Sequence, residues 1–279
     1  MTTWLGERPA DGMRLELAVS ATVHRARSPH QSITVVETER FGRALLLDDV
    51  IQTTERDEHI YHEMLVHVPM LAHGAARRVL IVGGGDGGAL REVLRHPVER
   101  ATMVEIDAAV VAACRAHMPG LSAGAFDDPR TELHIADAVD HVARTAERYD
   151  VMIVDSTDPL PEGPGSVLFT EAFYRDCARL LSDGGILVAQ HGMPFVDADT
   201  VRRAHARLAS AFADATCYLV PVPTYCGGAM ALGWGACDAA QRAVPEDVLE
   251  TRYRAAGITT RYWTPEVHRA AFALPRRFP

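Results

Sequence analysis

The chain has 279 residues, of which 48% are hydrophobic and 23% charged, as is typical of an ordinary globular protein. Its formal net charge is −9 and it contains no dense Lys/Arg cluster, which argues against nucleic-acid binding. No apolar run approaches the ~20 residues that a membrane span requires, so we expect no membrane association.

The N-terminal segment and the cysteines bear on the cellular compartment of the protein. MTTWLGERPADGMRLEL lacks the basic start and the continuous apolar stretch of a secretory signal. The five cysteines contain no CxxC pair. Because free thiols are the norm in a reducing cytoplasm, we predict a cytoplasmic protein.

The first 55 residues are predicted to form short strands. MRLELAV and the segments around ATVHRARS and QSITVVET alternate apolar and polar residues. FGRALLLDDVIQTT predicts a hairpin with Asp48 and Asp49 near its turn. After Asp57 the period becomes helical, and Thr54 is the predicted N-cap. The apolar face of this helix consists of Ile60, Tyr61, Met64, Leu65 and Val68.

From Arg78 onward, predicted strands and helices alternate. The strands RRVLIVGGG, ATMVEID, TELHIAD, YDVMIVD and GGILVAQ are separated by the helices GGALREVLRH, AAVVAACRAH, AVDHVARTA and TEAFYRDCARLL. A helix near residues 198–212 and the strands CYLVPVP and GAMALGWGA follow. This rhythm predicts an α/β fold with a Rossmann-like, doubly wound, mostly parallel sheet. We place the N-terminal β-strand domain and its connecting helix at residues 1–69, and the Rossmann-like domain at residues 70–279.

A glycine-rich turn indicates a nucleoside site. The run Gly83-Gly84-Gly85-Asp86-Gly87-Gly88 fits G-x-G-x-x-G between a predicted strand and helix. Glycines there permit a tight turn and the close approach of a ligand. Glu105 follows Gly85 by 20 residues, at the end of the next strand, where a carboxylate accepts hydrogen bonds from a ribose diol.

Carboxylates at successive strand ends indicate that the ligands are cationic. Asp137 closes the third strand, where it could bind an adenine edge, and Asp155 closes the fourth, three residues before Asp158. In open α/β sheets, ligands bind outside the carboxyl ends of the strands. No lysine or arginine interrupts the glycine turn. A sulfonium nucleoside with a cationic co-substrate therefore fits these charges better than an anionic dinucleotide.

In these residues the chain resembles the spermidine synthases, a family of polyamine aminopropyltransferases, and especially their bacterial members. The matching segments are FGRALLLDD, IQTTERDEHIYHEMLVHVPMLAHG, VLIVGGGDGGALREVLRH, TMVEID, DDPR, DVMIVDSTDP, LFTEAFY, GGILVAQ, PTYCGG and AAFALP. The resemblance implies a methyltransferase-like Rossmann domain and assembly as a homodimer or homotetramer. It also implies transfer of the aminopropyl group of decarboxylated S-adenosylmethionine to putrescine, which gives spermidine and methylthioadenosine.

The resemblance further assigns roles to residues at matching positions. Asp155 would be the proton acceptor, with Tyr61 as an orienting catalytic residue, and Asp86 would bind the donor's aminopropyl ammonium. The adenosyl part of the donor would be held by Gln31, Gln52, Glu105, Asp137, Ala138 and Pro164. The diamine would contact Tyr61, His62, Asp86, Asp155, Asp158, Gln190 and Tyr225.

The implied reaction agrees with the chemistry of these side chains. A free alkylamine has a pKa near that of lysine, about 10.4, so it is mostly protonated at neutral pH and needs a proton acceptor. Direct displacement at carbon requires neither a metal nor a prosthetic group. Asp86 would also repel the carboxylate of ordinary S-adenosylmethionine.

Three alternatives remain open at this point. Another acceptor, such as cadaverine, agmatine, diaminopropane or spermidine, would leave the chemistry unchanged. An S-adenosylmethionine-dependent methyltransferase is disfavoured by Asp86 and by the paired Asp155 and Asp158. A non-catalytic polyamine-binding regulator is disfavoured by Tyr61 and Asp155.

The histidines near the first predicted helix do not predict a metal site. His62-Glu63 is followed by His67, so the two histidines are five residues apart and do not fit the spacing of H-E-x-x-H.

Several positions depart from the family's usual pattern and bear on which amine fits. Asp49 replaces a glycine in the hairpin turn, and Ala138 replaces a glycine beside the predicted adenine pocket. His59 replaces an aromatic residue, and His191 stands where glycine or asparagine is usual. The loop after Asp158, which is expected to cover the active site, is longer than the usual version.

Overall fold

Two β-sheets organise the molecule. The structure is a computed structural model that describes residues 3–157, 164–276 and 278. An antiparallel five-stranded sheet has the order β1-β2-β3-β4-β5, and a seven-stranded sheet has the order β11-β12-β10-β9-β6-β7-β8. Among the helices of these residues, none has the length and apolarity that would let it cross a membrane.

The N-terminal sheet is formed by strands of very different lengths. Its strands are β1 (Thr3–Ala10), β2 (Met13–Arg27), β3 (Ser32–Thr38), β4 (Gly42–Leu47) and β5 (Val50–Thr54). The prediction of short strands was wrong for β2, which runs without a break through MRLELAVSATVHRAR. No glycine or proline interrupts that segment. Its pairing with β3 shifts register after Val19 and again after Thr22, and the strand continues through both shifts. β1 was not predicted.

The predicted hairpin between β4 and β5 is confirmed. Asp48 and Asp49 form its turn with φ angles of 47° and 65°. Aspartate tolerates this left-handed region better than most residues, which explains how Asp49 replaces a glycine here.

The seven-stranded sheet confirms the doubly wound, mostly parallel arrangement. It contains β6 (Arg78–Gly83), β7 (Arg100–Glu105), β8 (Thr131–Ile135), β9 (Tyr149–Asp155), β10 (Leu181–Gly192), β11 (Asp214–Val220) and β12 (Met230–Ala236). The first five of these strands are parallel, whereas β12 pairs antiparallel with both β10 and β11.

Helices cover both faces of this sheet, because its strands are apolar on both sides. They are α1 (Glu58–His73), α2 (Gly88–Leu94), α3 (Ala108–His117), α4 (Pro119–Ser122), α5 (Ala138–Arg144), α6 (Glu171–Leu180), α7 (Ala198–Ala209), α8 (Glu246–Ala256) and α9 (Pro265–Ala271). In β6, Val79 and Ile81 pack with α1 and α2, whereas Leu80 and Val82 pack in the cluster of α5, α6 and α7. A third cluster joins the N-terminal sheet to α3. The sequence reading had not assigned α8 and α9.

Helix α1 begins differently from the prediction. Its first residue is Glu58, and Asp57 occupies the N-cap position without a side-chain capping bond. The prediction of Thr54 as N-cap was wrong because Thr54 is the last residue of β5, and its hydroxyl donates to the Asp57 carboxylate instead (2.6 Å). The other Asp57 oxygen accepts the backbone N–H and hydroxyl of Thr224, at 2.9 and 2.7 Å. Asp57 thereby ties the loop after β11 to the start of α1.

The proposed division of the chain falls inside α1, which extends from Glu58 to His73. Most of this helix is buried, including Glu58, His62 and His67, because it lies against β9, β10, α2 and α8. The boundary between residues 69 and 70 stays a prediction.

Candidate active site

A cavity of about 590 Å³ lies where the seven-stranded sheet meets the N-terminal sheet. The predicted site residues that line it are Gln31, Gln52, Tyr61, His62, Asp86, Glu105, Asp137, Ala138, Asp155, Gln190 and Tyr225. Asp158 and the side chain of Pro164 lie outside the described residues. Residues at or just beyond the carboxyl ends of five strands of the large sheet therefore share one space with residues of α1 and of the N-terminal sheet.

The cavity opens at the point where the order of the sheet reverses. From β6 the chain proceeds to β7 and β8 on one side, and β9 and β10 lie on the other. Gly83 pairs with Asp155 across this point, and the Gly84 N–H donates to the Asp155 carbonyl (2.8 Å). Gly83 has a φ of 79°, and a Cβ there would lie 2.2 Å from the same carbonyl oxygen. Only glycine fits this turn.

The glycine turn brings Asp86 into the cavity. Its Oδ1 accepts the N–H of Gly88 (2.6 Å), two residues further along the chain. The same oxygen lies 3.6 Å from Nε2 of His62. Asp86 is therefore held both by its own turn and by helix α1.

One part of the cavity, which we call the Glu105 half, contains Gln31, Glu105, Asp137 and Ala138. Glu105 ends β7, keeps only 7% of its surface exposed and accepts the N–H of Asp107 (2.8 Å). Burial raises the pKa of Glu105 to about 7, because desolvation and the nearby charge of Asp107 outweigh the backbone hydrogen bonds. Hydroxyl donors from a ligand would favour its ionised form.

Asp107 positions Gln31 in this half. Its Oδ2 accepts from Gln31 Nε2 (3.0 Å) and from the Ser28 hydroxyl (2.6 Å), and its Oδ1 caps α3 through the Ala109 N–H (3.0 Å). The sequence reading missed Asp107. An aspartate directly before a helix is an N-cap signal that would have identified the residue but not its contact with Gln31, 76 residues away.

Asp137 has a comparable local role at the start of α5. Its Oδ1 accepts the Val139 N–H (2.8 Å), and the residue is exposed at the rim of the cavity. Ala138 is buried as the first residue of the helix.

The other part, which we call the Asp155 half, contains Tyr61, His62, Asp86, Asp155 and Tyr225. The Tyr61 hydroxyl donates to Asp155 Oδ1 (2.8 Å) although 94 residues separate them. Tyr61 is 5% exposed, and its ring packs edge-on against Tyr225, with centroids 5.7 Å apart. Tyr61 thus belongs to the core and to the cavity wall at once.

The surroundings of Asp155 make it a stronger base than an ordinary aspartate. Desolvation and the like charge of Asp86 raise its pKa to about 6, while the charge of His62 and the hydrogen bond from Tyr61 act in the opposite direction. Asp155 is therefore mostly ionised at neutral pH but binds a proton more readily than aspartate in water.

His62 links two carboxylates. Its Nδ1 lies 2.7 Å from Glu58 Oε2 and its Nε2 3.6 Å from Asp86 Oδ1, while the residue is 1% exposed. Burial lowers the pKa of His62, but Asp86 and Glu58 outweigh that effect and raise it well above its ordinary value. The sequence reading missed Glu58, whose signal is the i,i+4 spacing on α1.

Tyr225, Gln190 and Glu7 complete the wall. The Tyr225 hydroxyl donates to the Gln52 carbonyl (2.6 Å), and Gln190 lies near the carboxyl end of β10. Glu7, on the unpredicted strand β1, also lines the cavity, and its Oε2 accepts the Ile51 N–H (2.8 Å). No motif in the sequence pointed to Glu7.

His59 and His191, the two histidines that depart from the family's usual pattern, lie in different surroundings. His191 is fully buried at the bulge of β10, where its ring contacts the Tyr174 hydroxyl (3.1 Å) and packs against Gly233. Desolvation lowers the pKa of His191 to about 3, so the ring is neutral. His59 is half-buried on α1 and is not among the described residues that line the cavity.

The other helix residues considered for a metal serve different contacts. Glu63 accepts the backbone N–H groups of Arg261, Tyr262 and Trp263, and His67 lies between His96 and Glu92. Within the described part of the chain, no group of three His, Cys, Asp or Glu side chains could hold a metal ion.

In a doubly wound sheet, ligands bind in the crevice at the switch point, and this acidic cavity lies there. Comparison with known families makes the class specific. Residues 58–242 match the model described as spermine/spermidine synthase domain, and residues 3–55 match the spermidine synthase tetramerisation domain. The chain therefore belongs to the spermine/spermidine synthase family and is an enzyme.

Individual relatives agree with this assignment. The chain is 53% identical to the polyamine aminopropyltransferase of Ruegeria sp. over 273 residues, which cover 98% of this chain and 95% of that protein. It is 53% identical to polyamine aminopropyltransferase 1 of Pseudomonas aeruginosa over 266 residues, or 95% and 92% of the two chains. The recognition of the family from its sequence motifs is confirmed.

Solved structures confirm the fold. The crystal structure of a spermidine synthase in complex with the transition state analogue AdoDATO matches with a TM-score of 0.92 at 36% identity, covering 98% of this chain and 92% of that one. The spermidine synthase from Thermotoga maritima matches with a TM-score of 0.89 at 34% identity, covering 98% and 91%.

Proposed function

We propose that this aminopropyltransferase moves the aminopropyl group of decarboxylated S-adenosylmethionine to putrescine, producing spermidine and methylthioadenosine. The observation that carries the proposal is the 2.8 Å hydrogen bond from Tyr61 to Asp155 in a cavity that also contains Glu105 and Asp86. The cavity offers carboxylates both to a ribose diol and to the ammonium groups of two cationic substrates.

The nucleoside would lie in the Glu105 half. Glu105 would accept hydrogen bonds from the ribose hydroxyls, as expected for a carboxylate at the end of the second parallel strand. Gln31, fixed by Asp107, would contact the same nucleoside. The adenosyl group would also contact Gln52, Asp137, Ala138 and Pro164.

Asp86 would bind the ammonium of the aminopropyl group. Ordinary S-adenosylmethionine carries a carboxylate on the same carbon, and Asp86 would repel it. We therefore expect Asp86→Ala to weaken the preference for the decarboxylated nucleoside. Competition binding of the two nucleosides measures this preference, and a ratio equal to that of the unmodified enzyme would contradict the role.

The amine would react in the Asp155 half. Asp155 would take a proton from the bound ammonium, and the freed nitrogen lone pair would attack the propyl carbon attached to sulfur. The carbon–sulfur bond breaks and its electron pair returns to sulfur. Methylthioadenosine departs as a neutral molecule, and the alkylated amine is a secondary ammonium ion. The proton on Asp155 then passes to solvent. Tyr61 would hold the carboxylate in position.

The remaining lining residues support a diamine over a monoamine. Glu7 is a buried carboxylate in the same cavity, supplied by the N-terminal sheet. It would accept the second ammonium, which a monoamine lacks. His62, Asp158, Gln190 and Tyr225 would contact the carbon chain and the reacting nitrogen.

The test is a comparison of acceptor amines. Purified enzyme is incubated with decarboxylated S-adenosylmethionine and separately with putrescine, cadaverine, agmatine, diaminopropane or spermidine. Methylthioadenosine and the new amine are followed by mass spectrometry. Fastest formation of a product with the mass of spermidine from putrescine is the expected result.

Other outcomes would change different parts of the proposal. Preference for a longer or shorter amine would keep the reaction and replace the acceptor. No amine-dependent product from folded, nucleoside-binding protein would contradict aminopropyl transfer itself.

We also infer that the enzyme is a homo-oligomer, either a dimer or a tetramer. The family model matched by residues 3–55 supports this inference, as does Trp4 on β1, which keeps 59% of its surface exposed. Light scattering should give two or four times the mass of the chain, and a monomeric mass would contradict the inference.

A further inference from the structure

Four charged side chains form a continuous line from helix α2 into the cavity. Arg91 Nη2 lies 2.9 Å from Glu58 Oε2, and the same oxygen lies 2.7 Å from His62 Nδ1. His62 Nε2 then faces Asp86 Oδ1 at 3.6 Å. Glu58 and His62 are 7% and 1% exposed, so water screens these charges weakly.

The His62 ring packs closely against the glycine turn. A Cβ on Gly88 would lie only 2.3 Å from the ring, which shows how closely the imidazole packs on the backbone of the glycine turn. Both ring nitrogens face a carboxylate, Nδ1 at hydrogen-bond distance from Glu58 and Nε2 at ion-pair distance from Asp86. Only a doubly protonated imidazole carries an N–H on both of these nitrogens. The geometry therefore favours an imidazolium.

Charged and titratable groups approach His62 from every side. Glu58 and Tyr61 belong to α1, Asp86 to the glycine turn and Asp155 to β9, while Arg91 on α2 stands behind Glu58. Burial raises the pKa of Glu58, but the hydrogen bonds and charges of His62 and Arg91 outweigh it and bring the pKa to about 2. Glu58 is thus a carboxylate at every physiological pH.

Building on the aminopropyl transfer proposed above, we propose that Glu58 is a positioning residue. It holds His62 as an imidazolium beside the two cavity carboxylates, and this fixed cation keeps Asp155 ionised next to Asp86. Without such a cation, two like charges in a poorly solvated space would favour protonation of one of them. A protonated Asp155 could not accept a proton from the amine.

The pH dependence of Glu58→Gln tests the proposal. Glutamine preserves the size of the side chain but removes the charge, so His62 loses half of its counter-charge and becomes neutral more readily. The profile of kcat/KM for the amine is measured at saturating decarboxylated S-adenosylmethionine, so that the ionisation of Glu105 does not contribute. Its acidic limb then reports the ionisation of Asp155 and should move upward by about one pH unit. Activity near pH 9 should stay within about twofold of the unmodified enzyme.

Two further variants separate this effect from simple damage to α1. Glu58→Asp keeps the negative charge at a greater distance from His62. Its acidic limb should therefore move upward by less than that of Glu58→Gln. Glu63→Gln makes the same change at another buried carboxylate of the same helix, one that binds backbone N–H groups and not His62. It should leave the acidic limb in place. An unshifted limb in Glu58→Gln, or an equal shift in Glu63→Gln, would overturn the proposal.

A spectroscopic measurement keeps the test independent of catalysis. In ¹⁵N-histidine-labelled enzyme without amine, the His62 signals, identified by their loss in His62→Gln, should show a doubly protonated ring at pH 8. Glu58→Gln should convert them to the neutral pattern at that pH. A neutral ring at pH 8 in the unmodified enzyme overturns this inference while leaving the proposed reaction intact. A failed amine assay would overturn the reaction but not the charge of His62.

Discussion

The two halves of the cavity hold their carboxylates in different ways. In the Glu105 half, Asp107 and Asp137 cap the helices that directly follow them, and Glu105 accepts a backbone N–H two residues along the chain. In the Asp155 half, Asp86 likewise accepts the N–H of Gly88 two residues away, but Asp155 is held by Tyr61 from 94 residues away. The carboxylates of the Glu105 half are therefore held by local turns, with one long-range contact from Asp107 to Gln31, whereas Asp155 depends on where α1 is packed.

This difference bears on the roles that we propose for the two halves, nucleoside binding in one and reaction of the amine in the other. Local caps fix the carboxylates of the Glu105 half when the strand–helix units form. Burial, and not these caps, raises the pKa of Glu105 to about 7. The Asp155 half instead brings together the interacting charges of Asp86, Asp155 and His62, which come from separate elements. Changes in α1 or its neighbours should thus affect turnover more than nucleoside binding.

The largest expected effect is that of Asp155→Asn. Removal of the proposed proton acceptor should reduce turnover by on the order of 10²- to 10⁴-fold, with methylthioadenosine binding nearly unchanged. Steady-state rates and calorimetric titration measure the two quantities. Asp150→Asn is the matched control, because Asp150 lies on the same strand but binds the backbone N–H groups of Arg77 and Arg78. Unchanged turnover in a folded Asp155→Asn enzyme would refute the assignment.

Tyr61→Phe should have the next largest effect. It removes the hydrogen bond to Asp155 and keeps the ring, so kcat should fall by roughly 10- to 100-fold. The acidic limb of the rate profile should also move upward, because the hydrogen bond from Tyr61 lowers the pKa of Asp155. Tyr218→Phe provides the comparison, because the buried hydroxyl of Tyr218 donates to the carbonyl of Met64, which lies on α1 like Tyr61. That variant should lose about 1 kcal/mol of stability and no activity.

The binding of methylthioadenosine should depend on pH through Glu105. In the proposed binding mode the ribose hydroxyls stabilise the ionised carboxylate, so the ligand should bind more tightly as the pH rises through the raised pKa of about 7. The dissociation constant should fall by about tenfold between pH 6 and pH 8, and Glu105→Gln should abolish this dependence. Titration calorimetry in buffers of different ionisation enthalpy would also detect the released proton. A flat profile would place the nucleoside elsewhere.

The smallest effect is expected from Asp57→Ala, which changes a tertiary link without entering the cavity. Loss of the bonds to Thr54 and Thr224 should loosen the loop that carries Tyr225, and raise the KM for the amine by about fivefold. Nucleoside affinity should not change, and thermal unfolding should report a loss of about 1–3 kcal/mol. Equal weakening of both substrates would show that the two halves are not independent.

The features that were predicted correctly from the sequence depend on local contacts, and those that were predicted wrongly or missed depend on long-range contacts. The glycine turn, Glu105 and Asp137 were predicted from local spacing, and the structure places all of them at the cavity. Thr54 was misassigned because its hydroxyl is used by Asp57, whose own contacts reach Thr224. Glu7 and Glu58 were missed because one lies on an unpredicted strand and the other has the ordinary appearance of a first-turn acidic residue.

The sequence by itself determined the family, the alternation of strands and helices, and the carboxylates that end successive strands. These features depend on contacts between near neighbours, such as hydrophobic periodicity, helix caps and glycine turns. Only the tertiary structure decided that Tyr61 donates to Asp155 and that Glu58 and Asp86 face the two nitrogens of His62. Those contacts require α1 to be buried against β9 and the glycine turn, and burial is also what shifts the pKa values of Asp155 and His62.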